Sequence, residues 1–141
     1  MLDWREHGQA YAAQMIALSQ ALADALKAQG LPVFETSHGV TNSHQFAIKA
    51  AGFGGGQTAS KKLREAGFLV SGIGLPIDEV AGDMNGLRIG TPELARWGVT
   101  LDDVEELAQL LGGALRSNAP VGFAQRTRNM CAKFNKLHYI L

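Results

Sequence analysis

A long stretch near the start of the chain constrains the fold most strongly. Between residues 3 and 29, large apolar side chains recur at steps of three and four residues among alanine-rich filler, and Gly30 ends the pattern. The apolar positions are Trp4, Tyr11, Met15, Leu18, Leu22 and Leu26. Their spacing predicts one long amphipathic helix, whose apolar face the rest of the 141 residues must cover.

Short strand-like segments separated by turns follow this helix. Residues 32–36, 44–50, 68–70 and 87–90 have the length and the apolar content of strands. Strands that follow one another directly along a chain pair most simply in antiparallel fashion. We therefore predict an α+β fold, with a small three- to four-stranded, mainly antiparallel sheet that helices cover on one face.

Three shorter helices are also predicted. Residues 58–66 form the first, while Thr91 and Pro92 are typical of the cap and first position of a short helix that ends at Gly98. Thr100 is the expected cap of the last regular helix, which has acidic residues in its first turns. The predicted buried stripe of that helix is Val104, Leu107, Leu110, Leu111 and Leu115.

Residues 52–56 are the most glycine-dense stretch in a chain with 17 glycines. Glycines before a helix suggest a phosphate-binding loop. The Walker arrangement needs a Lys-Ser/Thr pair at a fixed distance, however, and the dinucleotide fingerprint needs a parallel βαβ unit. Neither pattern is present in the sequence. A turn between a strand and a helix is therefore the favoured interpretation.

Composition and charge exclude several classes of protein. The 13 Lys and Arg residues balance the 13 Asp and Glu residues, which argues against a basic nucleic-acid-binding protein. No apolar run reaches the ~20 residues that cross a bilayer, and the first seven residues lack the features of a signal peptide. Cys131 is the single cysteine, and the four histidines show no zinc-ligand spacing. We expect a cytoplasmic protein with no metal.

The character of the chain changes after Ser117. Residues 117–141 contain several cations and no acid, together with apolar residues that indicate docking on another surface. The cations of this basic tail are Arg126, Arg128, Lys133 and Lys136. We divide the chain into a domain at residues 1–116 and a basic tail at residues 117–141.

Arg88 is the most informative single residue. An arginine on a short apolar strand before a Gly-Thr-Pro turn is well placed to present its planar guanidinium to a carboxylate. An ion pair with one of the chain's own acids is the alternative that the sequence leaves open. His44, beside Asn42 and Ser43, is interpreted first as a structural histidine. No catalytic set can be assembled from the spacing of the residues.

The run Gly-Leu-Arg-Ile-Gly-Thr-Pro at residues 86–92, followed by Arg96 and Gly98, resembles the signature of the C-terminal domain of serine hydroxymethyltransferase. The run Thr-Asn-Ser-His at residues 41–44 before a strand, and the order of the later helices and strands, are similar as well. The resemblance covers about residues 1–116.

This resemblance implies a transferase of fold type I that uses pyridoxal phosphate and interconverts serine-type β-hydroxy amino acids and glycine, within one-carbon metabolism. Arg88 matches the arginine that binds the α-carboxylate of the amino acid. It would hold the bond to be broken perpendicular to the cofactor ring. His44 and Thr91 would support that site.

The family's Schiff-base lysine belongs to the large cofactor-binding domain. The lysines of this chain lie outside the family's lysine motif; they are Lys27, Lys49, Lys61, Lys62, Lys133 and Lys136. The resemblance therefore implies that this chain is a C-terminal piece, inactive alone, which partners a large domain that holds pyridoxal phosphate. We also expect it to form a homo-oligomer.

One segment departs from the family pattern. Folate-dependent members usually carry Val-Asn-Lys-Asn before the proline, whereas residues 70–75 are Val-Ser-Gly-Ile-Gly-Leu. The difference puts tetrahydrofolate in doubt. A relative such as an α-methylserine hydroxymethyltransferase, an aldolase or a transaldolase fits at least as well. A stand-alone amino-acid-binding or regulatory module, or a structural remnant without ligand, is the competing hypothesis.

Overall fold

The computed structural model describes residues 2–140 and has the predicted α+β architecture. Within that range, none of the helices is long and apolar enough to cross a lipid bilayer. Short 3-10 turns lie at residues 51–53, 101–103 and 120–123. The elements in chain order are α1 (Leu2–Ala28), β1 (Gln45–Lys49), α2 (Gly56–Glu65), β2 (Ser71–Ile73), β3 (Gly86–Gly90), α3 (Pro92–Arg96), α4 (Val104–Arg116) and α5 (Ala124–Cys131).

The three strands form one antiparallel sheet in the order β1-β3-β2. Ile48 pairs with Leu87 and Phe46 with Ile89, and all four side chains are buried. Because successive side chains of a strand point to opposite faces, Arg88 points away from this core face. The sheet thus has one face covered by helices and one face that carries the arginine.

The long first helix and α4 provide most of the helical core. The prediction of one helix over residues 3–29 is confirmed, since α1 spans Leu2–Ala28 and buries Leu18, Leu22 and Leu26 almost completely. The predicted stripe of α4 is buried as well. Burial of each such leucine side chain contributes about 1.5–3 kcal/mol relative to exposure.

The predicted strand at residues 32–36 is wrong. Val33 makes a single β-bridge to Ile48, and Thr36 makes one only to Gly39, where the chain turns back on itself. Pro32 has no N–H to donate to a ladder, and the turn follows too soon for a longer pairing. This segment therefore lies beside β1 without extending the sheet.

Another predicted strand is displaced along the chain. The strand next to β3 is β2 at Ser71–Ile73, whereas residues 68–70 are not a strand. Gly72 faces the first turn of α2, where an added Cβ would lie 3.0 Å from the backbone nitrogen of Gln57. Pairing thus occurs where a residue without a side chain leaves room for the helix, and the more apolar residues 68–70 stay outside the sheet.

A helix that the sequence did not predict follows α4. It is α5, whose Thr127 and Met130 are buried against the rest of the domain. The chain then returns to α1, where the ring of Tyr139 stacks on that of Tyr11 at 5.1 Å between centroids. The basic tail therefore docks on the domain, and α4 is not the last regular helix.

Candidate functional site

Arg88 lies at the centre of β3 on the open face of the sheet. Its neighbours across the sheet are Ala47 on β1 and Ser71 on β2. The arginine side chain is exposed and lines a cavity of about 510 Å³, together with His44, Ser71 and Glu93. We name this space the arginine cavity. Its cation, hydroxyl and imidazole groups can receive a carboxylate.

The guanidinium of Arg88 has no acidic partner in the described part of the chain. The ion pairs among residues 2–140 join Lys27 to Glu35 and Lys133 to Glu106. The alternative interpretation was that Arg88 forms an ion pair within its own chain, and residues 2–140 contain no such pair. A planar cation with free donors on an open face is the arrangement that a bidentate carboxylate requires.

Thr91 fixes the end of the strand that carries Arg88. Its side chain is fully buried, and its hydroxyl donates to the carbonyl oxygen of Met15 at 2.7 Å and lies 3.0 Å from that of His44. The backbone N–H of Thr91 also donates to His44. Thr91 is the N-cap residue of α3 and Pro92 follows at its start, as predicted. Its hydroxyl makes no capping hydrogen bond, however, because it is engaged by the carbonyl oxygens of Met15 and His44.

His44 reaches the site in two ways. Its carbonyl oxygen accepts the hydrogen bond from Thr91, which joins the start of β1 to the end of β3. His44 also lines the arginine cavity, and its Nδ1 lies 3.3 Å from Oγ of Ser43. The backbone of His44 therefore supports the strand of Arg88 at the wall of this cavity.

Asn85 is a structural residue that sequence reasoning missed. It is buried directly before β3, and its Oδ1 accepts from the N–H of Leu75 at 2.6 Å. Its Nδ2 lies within hydrogen-bond distance of the carbonyl oxygens of Leu75, Ile77 and Asp78. One amide thus holds the loop that precedes the strand of Arg88. A lone asparagine before an apolar strand was the available signal.

The glycine-rich stretch ends at the amino terminus of α2, and Asp83 closes that terminus. Its Oδ1 accepts from the N–H of Gln57 at 2.8 Å. Its Oδ2 accepts from the N–H of Thr58 at 3.0 Å and from the Thr58 hydroxyl at 2.7 Å. These are the donors that would bind a phosphate at the start of a helix. Because Asp83 already accepts their hydrogen bonds, the structure favours a turn over a phosphate-binding loop.

The carboxylate of Asp83 makes the stability of the domain dependent on pH. The N–H of Gln57, followed by the hydroxyl of Thr58, lowers the pKa of Asp83 from 3.8 to about 2. Because the folded pKa is the lower one, this stabilisation is present above pH 3.8 and is lost as the pH falls through about 2.

We expect Asp83→Asn to lower the unfolding temperature at neutral pH. The variant should also flatten the decline of that temperature between pH 3.8 and about 2, followed by circular dichroism. Asp78→Asn removes an exposed carboxylate from the same loop and is the matched control. Equal pH profiles for the wild-type chain and Asp83→Asn would contradict the prediction.

The described residues do not by themselves form a site for pyridoxal phosphate. This cofactor needs a lysine for its aldehyde and a cluster of donors for its phosphate. No lysine lines the arginine cavity, and Lys27 and Lys133 are ion-paired elsewhere. The donors at the start of α2 are bound by Asp83. Among the described residues, the arginine cavity therefore offers the cation of Arg88 but neither the lysine nor the free donors that the cofactor needs.

Comparison with known proteins gives a consistent result, although no family model matches the chain. It is 51% identical over 141 residues to an α-methylserine aldolase of Variovorax paradoxus, and 49% identical to one of a Ralstonia species. It is 39% identical over 111 residues, 77% of this chain, to a serine hydroxymethyltransferase of Saccharolobus solfataricus. The chain spans 32% of the length of each of those two aldolases and 26% of the hydroxymethyltransferase.

A solved structure shows the same likeness. L-threonine transaldolase from Pseudomonas fluorescens, determined in its internal aldimine state, superposes with a TM-score of 0.82 at 26% identity. The match covers 97% of this chain and 31% of the transaldolase. Fold and sequence together define a domain of the fold-type I pyridoxal-phosphate enzymes. More particularly, the chain is homologous to the C-terminal domain of the serine hydroxymethyltransferase-like members of that class.

Proposed function

We propose that this chain forms the carboxylate-binding part of an enzyme that cleaves or forms the Cα–Cβ bond of a β-hydroxy amino acid. The observation that carries the proposal is Arg88, which is exposed on the open sheet face without an acidic partner among residues 2–140. The run at residues 86–92 gives this arginine the position that binds the substrate carboxylate in the family it resembles.

The role of Arg88 is to hold the substrate in one orientation. Two parallel N–H donors grip both oxygens of a carboxylate, which fixes its plane as well as its position. Strand β3 holds the arginine backbone, and Thr91 and Asn85 immobilise the two ends of that strand. Because the arginine is held rigidly, the bound substrate is already oriented, and less entropy is lost when it reaches a reactive geometry.

The substrate we favour carries a substituent on its α-carbon. Identity to the α-methylserine aldolases is 49–51%, against 32–39% for the serine hydroxymethyltransferases. Cleavage of the Cα–Cβ bond of α-methylserine yields alanine and formaldehyde and needs no one-carbon acceptor. The replacement of the Val-Asn-Lys-Asn pattern at residues 70–75 supports a reaction without tetrahydrofolate.

The cofactor would come from a larger domain. Pyridoxal phosphate supplies an electron sink for the bond cleavage. We propose that a domain carrying the Schiff-base lysine packs against the open sheet face and completes the site around Arg88. We further propose that the resulting cytoplasmic enzyme is a homo-oligomer.

A chimeric enzyme tests this function. The matching third of the Variovorax α-methylserine aldolase would be replaced by this chain, and alanine and formaldehyde would be measured with α-methylserine as substrate. We expect cleavage within tenfold of that by the parent aldolase. A chimera that folds and binds pyridoxal phosphate, yet cleaves neither α-methylserine, serine nor threonine, would overturn the proposal.

A further inference from the structure

A second cavity, of about 280 Å³, lies on the inner side of the sheet edge. It extends between β3, α1, α4 and α5, and we name it the inner cavity. Its walls include Leu22, Ile89, Leu107, Leu111, Met130 and Phe134. An apolar cavity of about 150 Å³ is large enough to bind benzene. The inner cavity therefore has room for a larger hydrocarbon group.

The inner cavity and the arginine cavity are adjacent. Leu69, Val70, Gly90 and Glu93 line both of them, and we name this shared border the entrance. Because β2 pairs with β3 only as far as Arg88, Ile89 and Gly90 have no strand partner on that edge. An apolar space and a cation without an acidic partner in the described range thus lie on the two sides of this border.

Leu69 marks this entrance. Its side chain is 86% exposed, although it stands between two cavities. A leucine at such a position covers little of its own domain and is available to the apolar part of a ligand. The charge at the entrance is mixed, since Glu93 lies there as well.

We propose that the two cavities form one site for a carboxylate with an apolar tail, such as a straight-chain aliphatic acid. The carboxylate binds Arg88, and the tail passes Leu69 and Gly90 into the inner cavity. This inference rests on the proposed function, because it uses the same arginine for a carboxylate. It adds a class of ligand that is longer and more apolar than a serine-type substrate.

Methionine methyl groups give a local readout of binding. Met130 lines the inner cavity and is 4% exposed, whereas Met15 and Met84 lie outside both cavities. A chain labelled with ¹³C in its methionine methyl groups would be titrated with butanoate, hexanoate and octanoate below their micelle concentrations. We expect a saturable shift of the Met130 signal and unchanged Met15 and Met84 signals. Each buried methylene strengthens binding about fourfold.

Two charge variants test the position of the carboxylate. Arg88→Gln should weaken octanoate binding by about threefold to fivefold, the upper part of the range of an exposed ion pair, and should leave 1-octanol binding unchanged. Glu93→Gln should strengthen octanoate binding, because it removes a like charge from the entrance. Cys131→Trp, at an exposed position that also lines the inner cavity, should block both ligands.

Three results would overturn the inference. The first is a Met130 signal that does not shift when octanoate is added. The second is an Arg88→Gln variant that binds octanoate and 1-octanol equally more weakly than the wild-type chain does. The third is an Arg88→Gln variant that binds octanoate as tightly as the wild-type chain. The chimeric aldolase assay separates this inference from the proposed function. If the chimera cleaves α-methylserine but the chain does not bind octanoate, only the apolar site is rejected. If the chimera does not cleave its substrates, the proposed function is rejected.

Discussion

Arg88→Lys in an enzyme that carries this chain is expected to lower kcat/KM for the amino-acid substrate by about two to three orders of magnitude. A lysine keeps the charge but offers a single point donor, so the carboxylate loses the paired hydrogen bonds that fix its plane. Removal of one partner from a buried, hydrogen-bonded charge pair costs about 2–5 kcal/mol. We expect this cost once a second domain covers the open face and excludes water from Arg88.

The measurement is steady-state cleavage of α-methylserine by the chimera described above. If Arg88 orients the substrate as well as binding it, kcat should fall in addition to the rise in KM. Arg64→Lys is the matched control, since Arg64 is exposed on α2 and outside the arginine cavity. Retention of kcat/KM within threefold by Arg88→Lys would contradict the proposed role.

Gly56→Ala is expected to be among the most destabilising single-methyl additions to this domain. A Cβ on Gly56 would lie 2.0 Å from the carbonyl oxygen of Gly86 and 3.0 Å from the Cα of Gly72. Both neighbours are backbone atoms of the sheet, so neither can turn aside as a side chain would. Overpacking of this kind costs about 1–3 kcal/mol, and the backbone contact places Gly56 at the upper end.

Chemical denaturation of the isolated chain measures this loss directly. Gly52→Ala is the control within the same glycine-rich stretch, because a Cβ there would meet no atom within 4 Å. It should change the free energy of unfolding by less than about 0.5 kcal/mol. Equal stability of the two variants would show that α2 does not rest on the sheet as closely as described.

The parts of the fold that sequence predicted best are those with a local signal. The long repeat in α1 and the apolar stripe of α4 each specify a face over several turns, so their helices were found almost to the residue. The strand at residues 32–36 was wrong, and β2 was displaced, because strand pairing depends on distant partners and on where α2 needs a glycine. Helix α5 is short and polar, and Thr127 and Met130 are its buried residues. Its sequence therefore has only a weak periodicity of apolar residues.

The candidate site was likewise predictable only where the sequence carries a local signal. Arg88 could be found from its motif and its place on an apolar strand. Its lack of an acidic partner among residues 2–140 depends on contacts between residues that are distant in sequence. The same is true of the position of Leu69 on the border of both cavities. The bond from Asp83 to Gln57 spans 26 residues. No local pattern predicts such a contact. The four bonds of Asn85 reach back 7–10 residues, and the lone asparagine before an apolar strand was their available signal.

The buried hydroxyl of Thr91 has a mechanical consequence. It links positions 76 residues apart in sequence and lies three residues beyond Arg88 on the same stretch of chain. A displacement of the β3 backbone at Arg88 would therefore strain the hydrogen bond that joins this segment to the long first helix. We expect a ligand held by Arg88 to move β3 and α1 together and not one strand alone.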